Sequence, residues 1–292
     1  MKLFNYKKDG QIRLGLKING ISIDLVKEAK NLDFDIEEDM ISFIKGYNKK
    51  DWNELLKRIE LNKKSLNFLN EEKIEFAPVV LNPEKIICVG LNYKEHIEES
   101  ESFNLPKEPV LFSKFNNSLC ACNEDIPLPR YGKELDYEAE LVIVIGKDGK
   151  NIDEYSAYKH IFGYTVGNDL SIRDLQFLSN QWLIGKTADK FAPIGPYIVE
   201  KDYINPNNLN ISTKVNGEFK QNSNTKYMIF KPEEIVSYVS RNISLKAGDL
   251  IFTGTPKGCV LGYPKDERNW LKKGDVVEIE IENIGRLINK LV

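Results

Sequence analysis

The sequence predicts a mainly β protein of the α+β class, with curled mixed sheets and a few short helices, preceded by a small N-terminal α+β unit. Three observations carry that prediction. The short apolar runs Lys85–Val89, Leu141–Ile145 and Asp249–Thr253 each close at a glycine, as strands bounded by turns do. Near the end of the chain Val277, Ile279 and Ile281 alternate strictly with Glu278, Glu280 and Glu282, which sorts them onto opposite faces of a strand. Helical patterns beyond residue 78 are few: Asn151–His160, Ser171–Phe177 and Pro232–Ser240. A curled sheet or barrel-like sandwich satisfies all three.

Residues 1–77 read as a small N-terminal domain and 78–292 as the main one. In the first, the apolar runs of Leu14–Leu25 are broken by Asn19-Gly20, a hairpin signal. Helical spacing follows at Ile41–Tyr47 and Trp52–Ile59, with lysines and acids on the outward side. Pro78 and Pro83 bracket the passage into the main domain. There, Phe162–Asn168 is a further loosely alternating strand, and LKAGD (245–249) and LKKGD (271–275) are turns that launch strands.

Composition narrows the function. The 292 residues carry 41 Lys+Arg against 44 Asp+Glu, a net charge of −3. That balance argues against a nucleic-acid platform, which would show a basic face. No apolar run is long enough for a membrane span, and the start MKLFNYKKDG lacks the apolar core of a signal peptide. Cys88, Cys120, Cys122 and Cys259 form no CxxC pair, so the expectation is a reduced, cytoplasmic protein. There are two histidines, His96 and His160. They exclude a zinc site built on several imidazoles, and the cysteines are too scattered for a thiolate site. Any metal must then be held mainly by carboxylates, which favours Mg²⁺ or Mn²⁺, with Ca²⁺ also accepted by such oxygens.

Glu138-Ala139-Glu140 is the first candidate site. Alternate residues of a strand share a face, so the two carboxylates stand about 7 Å apart along it. A solvated face is the plain alternative, and it suits Glu278, Glu280 and Glu282. Glu140, however, runs directly into LVIVI, a stretch with no polar face, and carboxylates entering a buried strand need partners or a cation. Asp169 is the natural third ligand, since it ends FGYTVGN and is followed by Ser171–Asp174 at capping-box spacing. Its alternative is an ordinary Asn-Asp turn. His96 and Glu99 stand three apart in CVGLNYKEHIEES, so a helical turn makes them a His–carboxylate pair suited to a base. A lone histidine is more often structural, and His160 is read that way. Lys186, in QWLIGKTADKFAPIGP, suits an oxyanion, although most lysines are surface charges. Thr255, in the turn TGTPKG, is placed to meet a substrate carboxylate. No GxGxxG, Walker A or GxSxG pattern appears.

Taken in order, six segments resemble the fumarylacetoacetate hydrolase family. They are IICVGLNYKEHIEE (86–99), PVLFSKF (109–115), DYEAELVIVIGK (136–147), GYTVGNDLSIRDLQ (163–176), QWLIGKTADKFAPIGP (181–196) and DLIFTGTPKG (249–258). The resemblance covers about residues 80–292. It implies a β-roll, Mg²⁺ or Mn²⁺ on Glu138, Glu140 and Asp169, a water-activating dyad of His96 and Glu99, and an enolate-stabilising Lys186. It also implies that Arg173, Gln176 and Thr255 line the substrate site, and that the chain pairs as a homodimer. Two segments depart from the family pattern. Many members read TPxGVG where this chain has Thr255-Pro256-Lys257-Gly258-Cys259-Val260, and many read GKSFDTF where it has Gly185–Phe191. The branch it resembles holds short acylpyruvate hydrolases, decarboxylases and 2-hydroxyhepta-2,4-diene-1,7-dioate isomerases. The implied activity is metal-dependent cleavage of a C–C bond in a 2,4-dioxo acid. The alternatives are decarboxylation, tautomerisation or isomerisation of a 2-oxo diacid at the same site, or 2-oxo-acid binding without turnover.

Overall fold

The computed structural model describes residues 1–99 and 105–292. The Ser100–Ser102 part of the acidic EESES run lies outside the described residues. A six-stranded sheet forms the centre, in the order 199–200, 161–168, 139–145, 250–252, 86–90 and 110–114. Its pairings are antiparallel apart from 250–252 beside 86–90. A four-stranded sheet of 218–224, 210–215, 276–281 and 285–290 follows, and another of 21–24, 11–18, 2–8 and 75–77 is built from the N-terminal segment. The sheets are open, the central one mixed and the two four-stranded ones antiparallel, with no closed barrel among the described residues.

The central strand Ala139–Ile145 explains why LVIVI lacks a polar face. All seven of its residues are buried. Leu141, Ile143 and Ile145 pack into one core with Ile211, Val277, Ile279 and Ile281 of the C-terminal sheet. Val142 and Val144 point the other way, into a core with Leu3, Leu14, Phe43 and Trp52 of the N-terminal segment. A period of two thus feeds two cores, so both sets must be apolar. The alternating C-terminal strand has one such face: Val277, Ile279 and Ile281 are buried, whereas Glu280 and Glu282 are exposed.

Several local expectations hold. Asn19 and Gly20 both take positive φ in the hairpin between 11–18 and 21–24, and helices form at Met40–Gly46 and Lys49–Leu61. Pro232 opens the helix Pro232–Ser240, where a missing N–H costs nothing. Others are corrected. Ser171 starts no helix: Ser171–Ile172 is a short strand paired with Leu135–Asp136, and Ser171 donates to the Asp169 carbonyl at 3.0 Å. The helix begins at Arg173 without a side-chain cap, because its N-cap residue is the apolar Ile172, and Asp174 instead accepts the backbone N–H groups of Lys133 and Glu134. Leu25 closes no strand but opens the helix Leu25–Asn31, capped by Asp24. The pattern at Asn151–His160 shrinks to a helix over Glu154–Ala157 and a following 3₁₀ turn.

Candidate active site and metal centre

At one edge of the central sheet the strands 86–90, 161–168 and 250–252 end and 139–145 begins. Glu138 and Glu140 project from that beginning, and Asp169 follows the end of 161–168. Carboxylate oxygens of the three lie within 4.8 Å of one another, and all three residues are buried. Two hydrogen bonds join the strand ends: Asp169 N–H to the Glu138 carbonyl, 3.0 Å, and Glu138 N–H to the Asn168 side-chain oxygen, 3.0 Å.

Buried cations serve two of these carboxylates. The Lys186 ammonium lies 2.7 Å from Glu138 Oε2 and 2.8 Å from Asp169 Oδ2. Arg173 grips the other Glu138 oxygen with Nη2, while its Nε donates to Asp136 at 2.9 Å and its Nη1 to Gln176 at 2.8 Å. Lys114, wholly buried on the strand 110–114, donates to Asp169 Oδ1 and to the Leu170 carbonyl. Burial alone would raise the Glu138 carboxyl, but Arg173 and Lys186 hold it well below the usual carboxylate range. Burial likewise works against the Lys186 ammonium, yet Asp169 and Glu138 keep it protonated.

Glu140 is different. It accepts the Gly254 N–H at 2.7 Å, and no lysine or arginine pairs with it among the described residues. Burial, then the charges of Asp169 and Glu138, push its carboxyl well above the usual range. Three buried acids of which one lacks a counter-charge fit a divalent cation held by oxygen ligands. Glycines permit this geometry. Gly254 sits at φ 94°, and a Cβ there would come within 2.7 Å of the Asn92 side chain. A Cβ on Gly185 would stand 2.5 Å from the Gln176 backbone nitrogen, so glycine lets the turn Leu183–Lys186 press its lysine into the site.

The helix Lys94–Glu99 carries the expected pair. His96 Nδ1 lies 2.8 Å from Glu99 Oε1, and the Gly258 N–H fixes the same carboxylate at 3.0 Å to Oε2. The preceding Asn92 anchors the helix: its side chain bonds the Phe230 N–H and the Phe230 and Thr253 carbonyls. Leu91, at φ 57°, takes a conformation that a bulky residue adopts at local cost.

Every site residue expected from the sequence falls in this one region. His96, Glu138, Glu140, Asp169, Arg173, Gln176, Lys186 and Thr255 all line a cavity of about 30 Å³, enough for an ion or a water or two, and Glu99 stands behind His96. A diacid needs that cavity to widen. A cleft of about 730 Å³ around Phe34, Phe43 and Trp52 shares no residue with it and lacks this lysine–carboxylate set. Arg173 and Gln176 bond each other and the acids, whereas Thr255 Oγ1 accepts from Gln221 Nε2 at 2.8 Å.

Lys114, Asp136, Asn92 and Gln221 escaped the sequence reading. Lys114 and Asp136 sit inside quoted segments, PVLFSKF and DYEAELVIVIGK, where their side chains were given no part. Gln221 Oε1 accepts the Ala139 N–H at 3.0 Å and the Thr213 hydroxyl at 2.7 Å, tying the C-terminal sheet to the strand that bears the glutamates. Nothing local marks it.

The family pattern described as fumarylacetoacetate (FAA) hydrolase, C-terminal, matches residues 85–292. A Dictyostelium discoideum protein named fumarylacetoacetate hydrolase domain-containing protein 2 homolog is 44% identical over 96% of this chain and 92% of its own length. The Xenopus laevis protein named oxaloacetate tautomerase fahd2, mitochondrial, is 45% identical over 77% of this chain and 71% of its own length. Among solved structures, the fumarylacetoacetate hydrolase of psychrophilic Exiguobacterium antarcticum superposes with a TM-score of 0.84 at 34% identity. That match covers 100% of this chain and 99% of the other.

Proposed function

The chain belongs to the fumarylacetoacetate hydrolase family, and from that premise we propose that it interconverts the enol and keto forms of a small 2-oxo diacid of the oxaloacetate type. The observation that carries this reading is the 45% identity to an oxaloacetate tautomerase over 77% of this chain. It moves the lead from C–C hydrolysis, the activity first implied by the motifs, to one of its alternatives.

The chemistry asks for a stabilised enolate and a group that moves one proton. Mg²⁺ or Mn²⁺ on Glu138, Glu140 and Asp169 would supply a Lewis acid for the enolate oxygens. Lys186, held protonated between Glu138 and Asp169, adds fixed positive charge beside that oxygen. His96 carries the proton to and from the carbon next to the carbonyl, and Glu99 fixes its ring through the 2.8 Å contact to Nδ1. Arg173 keeps Glu138 in place through its bonds to Asp136 and Gln176. Thr255 is left to meet a substrate carboxylate. The sequence reading adds that residues 1–77 would form a small N-terminal domain and that cysteines without a CxxC pair suit a reducing compartment; the resemblance adds that the chain would pair as a homodimer.

A second reading, hydrolysis of an acylpyruvate, draws on the same dyad acting on water and on the Exiguobacterium antarcticum likeness. One experiment separates them. Enol oxaloacetate and acetylpyruvate are offered in turn with Mg²⁺, following enol absorbance and released acetate. Faster loss of the oxaloacetate enol, without acetate from acetylpyruvate, supports tautomerisation. Acetate release without any effect on the enol would replace it with hydrolysis.

A further inference from the structure

Cys259 brings a second ligand set to the wall of the same site. Its thiol is fully buried, and Cys259 Sγ, a carboxylate oxygen of Glu138 and a ring nitrogen of His96 lie within 4.8 Å of one another. Because Nδ1 of His96 is engaged by Glu99 at 2.8 Å, Nε2 is the nitrogen left for this group. Sγ also lies 3.4 Å from Nε2 of Gln221.

One imidazole, one thiolate and one carboxylate form a mixed set that thiophilic dications prefer and Mg²⁺ does not. Ligand atoms around a tetrahedral zinc ion stand about 3.5 Å apart, so the trio closes around one by shifts of roughly 1 Å. The sequence hid this set, since Cys259 pairs with no other cysteine and only the fold brings His96 and Glu138 to it.

We propose that His96, Glu138 and Cys259 form a second metal site, selective for a thiophilic dication of the zinc class, whose occupation takes His96 out of proton transfer. The metal–sulfur bond forms as the thiol proton leaves to solvent, with no change of oxidation state. Glu138 belongs to both sets, so the zinc-class ion also competes with Mg²⁺ or Mn²⁺ for that carboxylate. The inhibitory consequence rests on the proposed function; the binding site does not.

The test titrates the full-length protein with Cd²⁺ in Mg²⁺ buffer and reads the ultraviolet thiolate-to-cadmium charge-transfer band, with Zn²⁺ as competitor. The expected result is a one-equivalent band in the natural protein that Zn²⁺ displaces. The band is lost in Cys259→Val and in Cys259→Ala, the second guarding against a packing defect in the first. Zn²⁺ affinity should fall more than about 100-fold in either variant, since a ligand is lost rather than a supporting group. No band in the natural protein, or an undiminished band in both variants, would overturn the site. Turnover is read separately: if Zn²⁺ fills the site and enol conversion proceeds unslowed, the inhibitory role is wrong. A protein without turnover still has its site decided by the band.

Discussion

Glu138 and Glu140 leave the same strand on the same side and meet opposite electrostatic fates. Arg173 and Lys186 neutralise Glu138, while the partner found for Glu140 is the Gly254 N–H. The pair is therefore a carboxylate held ready beside one that awaits a cation.

Replacing Glu140 by glutamine should separate stability from metal binding. The metal-free protein should melt at the same or a higher temperature, because an uncompensated buried carboxylate has gone. Mn²⁺ affinity, measured by calorimetry, should drop by about 100-fold or more, beyond the loss typical of a supporting residue. An unchanged affinity would remove Glu140 from the ligand set.

Metal binding should also tighten as pH rises. Burial and the neighbouring Asp169 and Glu138 raise the Glu140 carboxyl well above its usual range, so a proton competes with the ion below that raised value. In the metal-free fold the same shift favours the protonated form, and the ionised group weakens the fold once pH exceeds the unfolded pKa. Calorimetry in buffers of different ionisation enthalpy should record proton release on Mn²⁺ binding, and none in Glu140→Gln.

Lys186→Met should cost the metal-free protein about 3 kcal/mol or more, since it strands Glu138 and Asp169 partly unpaired in the interior. Added Mn²⁺ should recover part of that loss in a thermal melt. Turnover should remain depressed by about 100-fold even with metal present. A variant as stable as the natural protein without metal would show that Lys114 and Arg173 suffice.

Gly262→Ala probes the dyad without touching it. The new methyl would fall 2.4 Å from the Glu99 carboxylate carbon, the far end of a side chain that can swing aside. Stability and Mn²⁺ affinity should hold while enol conversion falls toward that of Glu99→Gln. Normal turnover in Gly262→Ala would show that the 2.8 Å contact of His96 with Glu99 is dispensable.

Legibility in the sequence followed range. The buried LVIVI strand, the hairpin at Asn19-Gly20 and the His96–Glu99 turn are local patterns, and the structure contains each. The carboxylate trio was also readable, because Glu138 and Glu140 share a strand face and Asp169 directly follows the neighbouring strand. Lys114 was not, since 55 residues separate it from Asp169 and a lysine on an edge strand ordinarily faces water. Gln221 needs a sheet contact across 82 residues to reach Ala139. Ser171–Asp174 misled for the opposite reason: its local capping signal was overridden by pairing with Leu135–Asp136.

The most direct test of the account is the rate of enol oxaloacetate conversion by metal-stripped and Mg²⁺-reloaded protein, beside Glu140→Gln treated in the same way. The account predicts acceleration in the reloaded natural protein alone, lost again on chelation and absent from the variant. Equal rates with and without metal, or a variant as fast as the natural protein, would contradict it.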